Sequence, residues 1–171
     1  MLSYTPNKIR KNAWMVFGFI SSIAVIFYVF SLFSIGLVWL NQLFLVIALT
    51  ADLLFLMRYI LYDYVYTINE HGFFSVRRIY GKNNRLLVDL QISRGDVIVK
   101  YDRDTDLSRF GRISRKENYC SSAFPLEKYI YIFNSGETKQ AIIIECGADT
   151  AEVIANAIEI FGKEAEDDDD E

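Results

Sequence analysis

The sequence predicts an α+β membrane protein: a two-helix transmembrane hairpin, then an antiparallel β sandwich or barrel of about seven strands, capped by a C-terminal amphipathic helix. Three observations predict it. Residues 13 to 51 contain no Asp, Glu, Lys or Arg, a run too long for one spanning helix of about 20 residues and right for two. From residue 62, Tyr62, Tyr64, Tyr66 and Ile68 alternate with Asp63, Val65, Thr67 and Asn69, the period of a half-buried strand. Near the C terminus the period changes, and Ile154, Ala157, Ile158 and Phe161 fall on one helical stripe.

The 171 residues suffice for one ordinary domain and a small extra module. Residues 1–12 form a short basic N-terminal segment. A first spanning helix is expected over 13–34 and a second over 37–58, with the reversal at Ser34-Ile35-Gly36, where glycine permits a tight turn. A removable signal peptide fits poorly, because the apolar run is too long and no small-residue cleavage pattern ends it. Lys8, Arg10 and Lys11 precede the first helix, Arg58 follows the second, and the turn between has no base. The positive-inside rule then puts both termini in the cytoplasm of a two-pass protein of the plasma membrane. Within the spans, Asp52 has two readings. An intramembrane carboxyl can carry a proton or hold an ion. It can also form a structural ion pair near the membrane surface, and Lys11 is the partner expected at that depth. Gly18 and Ser22 make a small-xxx-small pair of the kind that lets helices approach closely.

The β domain is expected over 62–162 and starts almost without a linker. Asn69-Glu70-His71-Gly72 turns the first strand into "FFSVRRIY". "GKNN" leads into "RLLVDLQI", and "SRGD" into "VIVKY". The polar stretch "DRDTDLSRFGRISRKE" has no sustained period. "NYCSSAF", "KYIYIFN" and "KQAIIIEC" supply three more strand candidates, with Ser135-Gly136 marking the clearest hairpin. Asp149 is placed to cap the final helix, with Glu152 three residues on, and Gly162 to end it. The last eight residues, "EAEDDDDE", hold seven acids. Without them 18 basic residues face 15 acidic ones, so the formal charge of −4 belongs to the tail. Residues 163–171 are expected to be a disordered acidic tail.

Seven short strands and one C-terminal helix resemble the pleckstrin-homology (PH) fold. The paired spans up to Met57, "YVYTINEHGFFSVRR" directly after them, "YIYIFNSGETKQAIII" and "DTAEVIANAIEIF" are similar in order and pattern to bacterial membrane proteins in which a two-helix hairpin precedes a PH-like domain. The resemblance implies a sandwich of two antiparallel sheets capped by the helix. It implies no particular ligand. In phosphoinositide-binding PH domains the basic residues come from the loop joining the first two strands; here that loop, Asn69 to Gly72, has no Lys or Arg.

No catalytic constellation stands out. His71 is the single histidine and falls in a turn. No His/Cys cluster has metal-ligand spacing, no phosphate-loop motif is present, and Asp102, Asp104 and Asp106 lack the glycine and closing glutamate of a calcium loop. Cys120 and Cys146 are expected to be buried free thiols. No cofactor, nucleic acid or small-molecule substrate is expected, and the chain is read as non-enzymatic. The best site candidate is the basic cluster Arg109, Arg112, Arg115 and Lys116, which would meet anionic lipid, a protein partner or the chain's own acidic tail, or stay a solvated loop. The expected partners are the lipid bilayer and a protein, either another chain or a second copy. The function so read is a membrane-anchored module presenting a binding or oligomerisation surface at the inner leaflet. The alternative is an accessory subunit that docks into a larger membrane complex through its hairpin.

Overall fold

The computed structural model describes residues 2–6, 10–33, 36–102, 104–136 and 138–167, with the backbone alone at 2, 10–11 and 163–167. The chain divides into two compact units, one built around two long helices and one containing every described strand and the C-terminal helix.

The helical unit consists of α1 (Arg10–Leu32) and α2 (Val38–Phe55), the latter prolonged by a π-helical segment, Leu56–Leu61. Two stretches, Asn12–Leu32 and Val38–Leu61, are long and apolar enough to cross a membrane. The helices run antiparallel, as the facing pairs show: the rings of Phe27 and Phe44 stack with centroids 5.2 Å apart, and Ser21 meets Asp52. The small residues buried in this unit include Ala24 on α1 and Ala48 on α2. Gly18 and Ser22 do not serve as the close-approach pair. Both are exposed, no atom comes within 4 Å of a Cβ built on Gly18, and the Ser22 hydroxyl donates back to the Gly18 carbonyl at 2.8 Å. The reason is angular: Ser21 and Ala24 define the face turned to α2, and residues 18 and 22 lie off it.

The β unit has eight described strands in two four-stranded sheets, and no closed barrel. The first sheet contains β1 (Leu2–Tyr4), β2 (Asp63–Ile68), β3 (Phe73–Tyr80) and β4 (Asn83–Gln91), in that order and all antiparallel. β1 was not expected. It lies in the basic N-terminal segment, ahead of α1, yet pairs Leu2, Ser3 and Tyr4 with Ile68, Thr67 and Tyr66. Three residues are too few to show a period, so nothing local marks them as a strand. Between β2 and β3 the Asn69 side chain accepts from the backbone N–H groups of His71 and Phe73 at 3.1 and 2.8 Å, an Asx turn.

The second sheet has the order β5-β7-β8-β6, formed by β5 (Val97–Lys100), β6 (Ile113–Asn118), β7 (Tyr129–Ser135) and β8 (Thr138–Ile144). It departs from the expected all-antiparallel sheet, because β6 runs parallel to β8. It also moves a strand. "NYCSSAF" was expected to be one, but β6 is built from "ISRKEN", the end of the stretch without a period. β6 is an edge strand with four of six residues exposed, so burial imposes little alternation on it.

Residues 101–112 link parallel strands at opposite edges of this sheet. They cross its outer face, where Tyr101, Leu107, Phe110 and Ile113 pack on Cys120, Ile130, Ile132, Ala141 and Ile143. On the inner face Tyr131, Phe133, Ile142 and Ile144 join Tyr64, Tyr66, Ile68, Phe74 and Val76 of the first sheet in the main core.

The C-terminal helix α3 (Ala148–Asp167) adds Ala151, Ile154, Ala157, Ile158 and Phe161 to that core, the expected stripe extended by one turn. It starts at Ala148, with the Ala151 N–H bonded to the Gly147 carbonyl at 3.1 Å, so Asp149 lies inside the first turn, where its charge complements the helix dipole. Gly162 does not end the helix. It keeps ordinary helical φ, and a Cβ there would come within 2.8 Å of the Arg94 Cα. The glycine serves close packing of α3 on the β4–β5 turn. An alanine in a helix interior normally stabilises by about 1 kcal/mol over glycine. Here the sign should reverse: Gly162→Ala should destabilise by about 1–3 kcal/mol, seen as a lower urea midpoint of the full chain in mild detergent. A raised midpoint would mean that the contact with Arg94 is not tight.

Candidate functional site

In the helical unit the polar feature is Asp52. Ser21 donates its hydroxyl to Oδ2 at 2.7 Å. The other oxygen, Oδ1, is buried and meets no donor among the described residues. Asp52 and Ser21 stand at one edge of a groove of about 490 Å³ whose other walls are Ala24, Val25, Tyr28, Leu45 and Leu49. The expected partner of Asp52 was Lys11, whose side chain lies outside the described residues. From Phe27–Phe44 to Ser21–Asp52, six residues back along α1 are matched by eight residues forward along α2. Along α1, the Lys11 backbone lies ten residues, about 15 Å at 1.5 Å per residue, from Ser21. The helix was expected to end at Arg58. Its continuation to Leu61 puts Asp52 nine residues from the end of the helical stretch.

In the β unit the four basic residues come from three pieces of backbone. Arg109 lies in a short 3₁₀ turn (Ser108–Phe110), its guanidinium 4.6 Å from the centroid of the Phe110 ring. Arg112 precedes β6 and lines a surface hollow with Ile113, Ser114 and Thr138. Arg115 and Lys116 are consecutive on β6, so they point to opposite faces of the sheet. Arg115 forms an ion pair with Glu117, which also accepts a hydrogen bond from the Tyr119 hydroxyl. Burial, then the Glu117 hydrogen bond and charge, push that hydroxyl's pKa up. Lys116 donates to the Tyr101 hydroxyl at 2.8 Å, and the ammonium groups of Lys116 and Lys128 lie 4.8 and 5.1 Å from the centroid of the Tyr101 ring. Arg115 and Glu117 instead line a cleft of about 300 Å³ with Leu87, Leu90, Phe133 and Ile142 among its apolar walls. The four charges therefore do not form one patch on one loop. The side chains of the acidic tail lie outside the described residues.

Two buried polar clusters carry no sequence motif for function. Asp96, the last residue of Arg94-Gly95-Asp96, is buried; it accepts from the Ser93 N–H and hydroxyl, both at 3.0 Å, and from the Tyr131 hydroxyl at 2.5 Å. Burial first, and then the Asp96 charge and hydrogen bond, raise the Tyr131 pKa. The Tyr66 hydroxyl donates to the Tyr119 carbonyl at 2.9 Å and accepts from the Glu145 N–H at 3.1 Å, tying β2 to the residues after β6 and β8. Alternation put Tyr66 on the half-buried face of its strand, but the hydroxyl partners of Tyr66 and Tyr131 lie more than 30 residues away in sequence. His71 is exposed in its turn. Among the described residues no group of three His, Cys, Asp or Glu side chains is placed to hold a metal.

No protein-family model matches the sequence, and neither a curated protein nor a solved structure matches it. The fold defines the class by itself: an α+β protein of three helices and two sheets, with two helices long and apolar enough to cross a membrane.

Cys120 and Cys146 are both free and buried. Burial, reinforced by neighbouring Cys120, Glu127 and Glu145, pushes the Cys146 thiol up to about 12. A buried thiol in the neutral form is a poor nucleophile, so both cysteines should resist maleimide at neutral pH until the chain is unfolded. The linkage has a definite sign. Unfolding returns Cys146 to its ordinary value of 9.0, so the unfolded chain loses its proton first. Stability should hold up to about pH 9 and fall as the pH rises towards about 12. A urea midpoint that stayed flat across that window would contradict the assignment.

Proposed function

We propose that this chain is a two-pass protein of the plasma membrane whose β unit is a cytoplasmic, PH-like, non-enzymatic module that presents a binding or self-association surface at the inner leaflet. The observation that carries the topology is the pairing of β1 with β2. One strand precedes α1 and the other follows α2. A chain that crosses the bilayer between them must cross back before residues 2–4 can pair with 66–68. That supports a hairpin with both ends on one side, and the Lys/Arg asymmetry favours the cytoplasmic side. Two sheets packed with a C-terminal helix support the PH-like reading, and the likeness in element order is to bacterial membrane proteins. The parallel β6–β8 pair and the added strand β1 are departures from it.

The split of the basic residues weighs against a single anionic-lipid site at Arg109, Arg112, Arg115 and Lys116, since Arg115 is already paired and Lys116 is held on Tyr101. A protein surface fits the β unit better. The second reading, an accessory subunit docked through the helices, is favoured by one specific observation, the buried Oδ1 of Asp52, which meets no donor among the described residues. Sedimentation and copurification of the full chain in mild detergent separate the two: self-association alone supports the module, and a stoichiometric membrane partner supports the subunit.

The topology has its own test. Single cysteines at Ser34 and Ser135, in a Cys120→Ala, Cys146→Ala background, are offered an impermeant thiol reagent in intact cells. Labelling is expected at position 34 and not at 135. Labelling at 135 would sink the cytoplasmic placement of the β unit.

A further inference from the structure

Asp52 is the one acidic residue between Asn12 and Leu61, and Arg58 is the one base. Nine residues of helix separate Asp52 from Leu61, about 13 Å at 1.5 Å per residue. That is deep in an apolar layer about 30 Å thick. A carboxyl at such depth is costly unless it is paired, and residues of this kind in spans face partners rather than lipid. Ser21 satisfies Oδ2, and Oδ1 is buried and meets no donor among the described residues. Ser21 and Asp52 also supply the polar edge of a groove otherwise lined by apolar side chains and Tyr28.

We infer that this groove receives a membrane-spanning helix of another protein, and that the incoming helix carries a Lys or Arg at the depth of Asp52. The inference deepens the accessory-subunit reading and rests on α1 and α2 crossing the bilayer. Charge complementarity selects the occupant. The groove's one carboxyl is Asp52, the other titratable group in its lining is the Tyr28 phenol, and a cationic side chain at that end supplies the opposite charge. A second copy of this chain is a poorer fit. Symmetric docking through the groove brings one Asp52 towards the other, and the copy's one base, Arg58, lies more than a turn nearer the membrane surface.

The test places the labelled full chain in liposomes with synthetic Leu/Ala-rich spanning helices and reads association by energy transfer. One probe carries a single Lys nine residues from its cytoplasmic end, and the other is wholly apolar. The Lys probe should bind about tenfold more tightly. Asp52→Asn, which keeps the shape and removes the charge, should abolish that preference. Val25→Trp, which fills the groove from an exposed position, should weaken the Lys probe with Asp52 intact. Equal binding of the two probes, a preference that survives Asp52→Asn, or indifference to Val25→Trp overturns the proposal. Energy transfer between two labelled copies that Asp52→Asn abolishes, with no preference for the Lys probe, assigns the groove to a second copy and also overturns it. Extraction of the chain from the liposomes by alkaline carbonate is a different failure, because it removes the spanning reading itself.

Discussion

Tyr129, Tyr131 and Phe133 on one face of β7, with Ile130 and Ile132 on the other, leave that strand no solvent side over five consecutive residues. β8 repeats the constraint with Ile142 and Ile144 inward and Ala141 and Ile143 outward. Apolar surface on both faces of a strand pair needs two covers. The inner cover is the first sheet with α3. The outer cover is the crossover of residues 101–112, whose Tyr101, Leu107 and Phe110 lie over the isoleucines. Because that crossover runs from one edge of the sheet to the other, it delivers β6 beside β8 in parallel. The mixed sheet and the dispersal of the four basic residues follow from the same need.

The buried polar groups fix how the layers meet. Apolar contact between two sheets is tolerant of small slips, whereas a buried hydroxyl must find its partner. Tyr66 and Tyr131 each extend a phenol through the core to a group on another element. The rings supply packing, with Phe74 and Tyr131 stacked at 5.1 Å, and the hydroxyls supply register. Gly72 belongs to the same design. Its φ of +70° turns the β2–β3 hairpin, and a Cβ there would lie 2.8 Å from the Phe161 ring, so α3 closes directly over backbone.

The helical unit shows a different economy. Its exposed surface is largely apolar, including Phe19, Phe33, Trp39, Val46 and Leu54, as suits helices facing lipid. Against that background the unit's one carboxyl, Asp52, has a single hydroxyl donor, Ser21, among the described residues. Its counterpart in the β unit is Asp96, also a carboxyl but given three hydrogen bonds by its own fold.

The sequence by itself determined whatever depends on length and period. The two long apolar helices follow from an uncharged run, β2 from alternation, and the core stripe of α3 from helical spacing, and each lies close to where those patterns put it. Most hairpins were equally legible, because asparagine and glycine at turns act locally. Only the tertiary structure decided the rest. β1 is three residues whose pairing partner lies more than 60 residues away. β6 is an exposed edge with no burial to impress a period on it. The candidate basic site looked like one cluster because its members are close in sequence, but strand geometry turns Arg115 and Lys116 to opposite faces. Asp52 was visible as a residue out of place, but its hydrogen-bond partner, Ser21, depended on the antiparallel packing of α2 on α1. Local pattern fixes which side of its own element a residue occupies. What stands opposite it is a property of packing between elements distant in the chain.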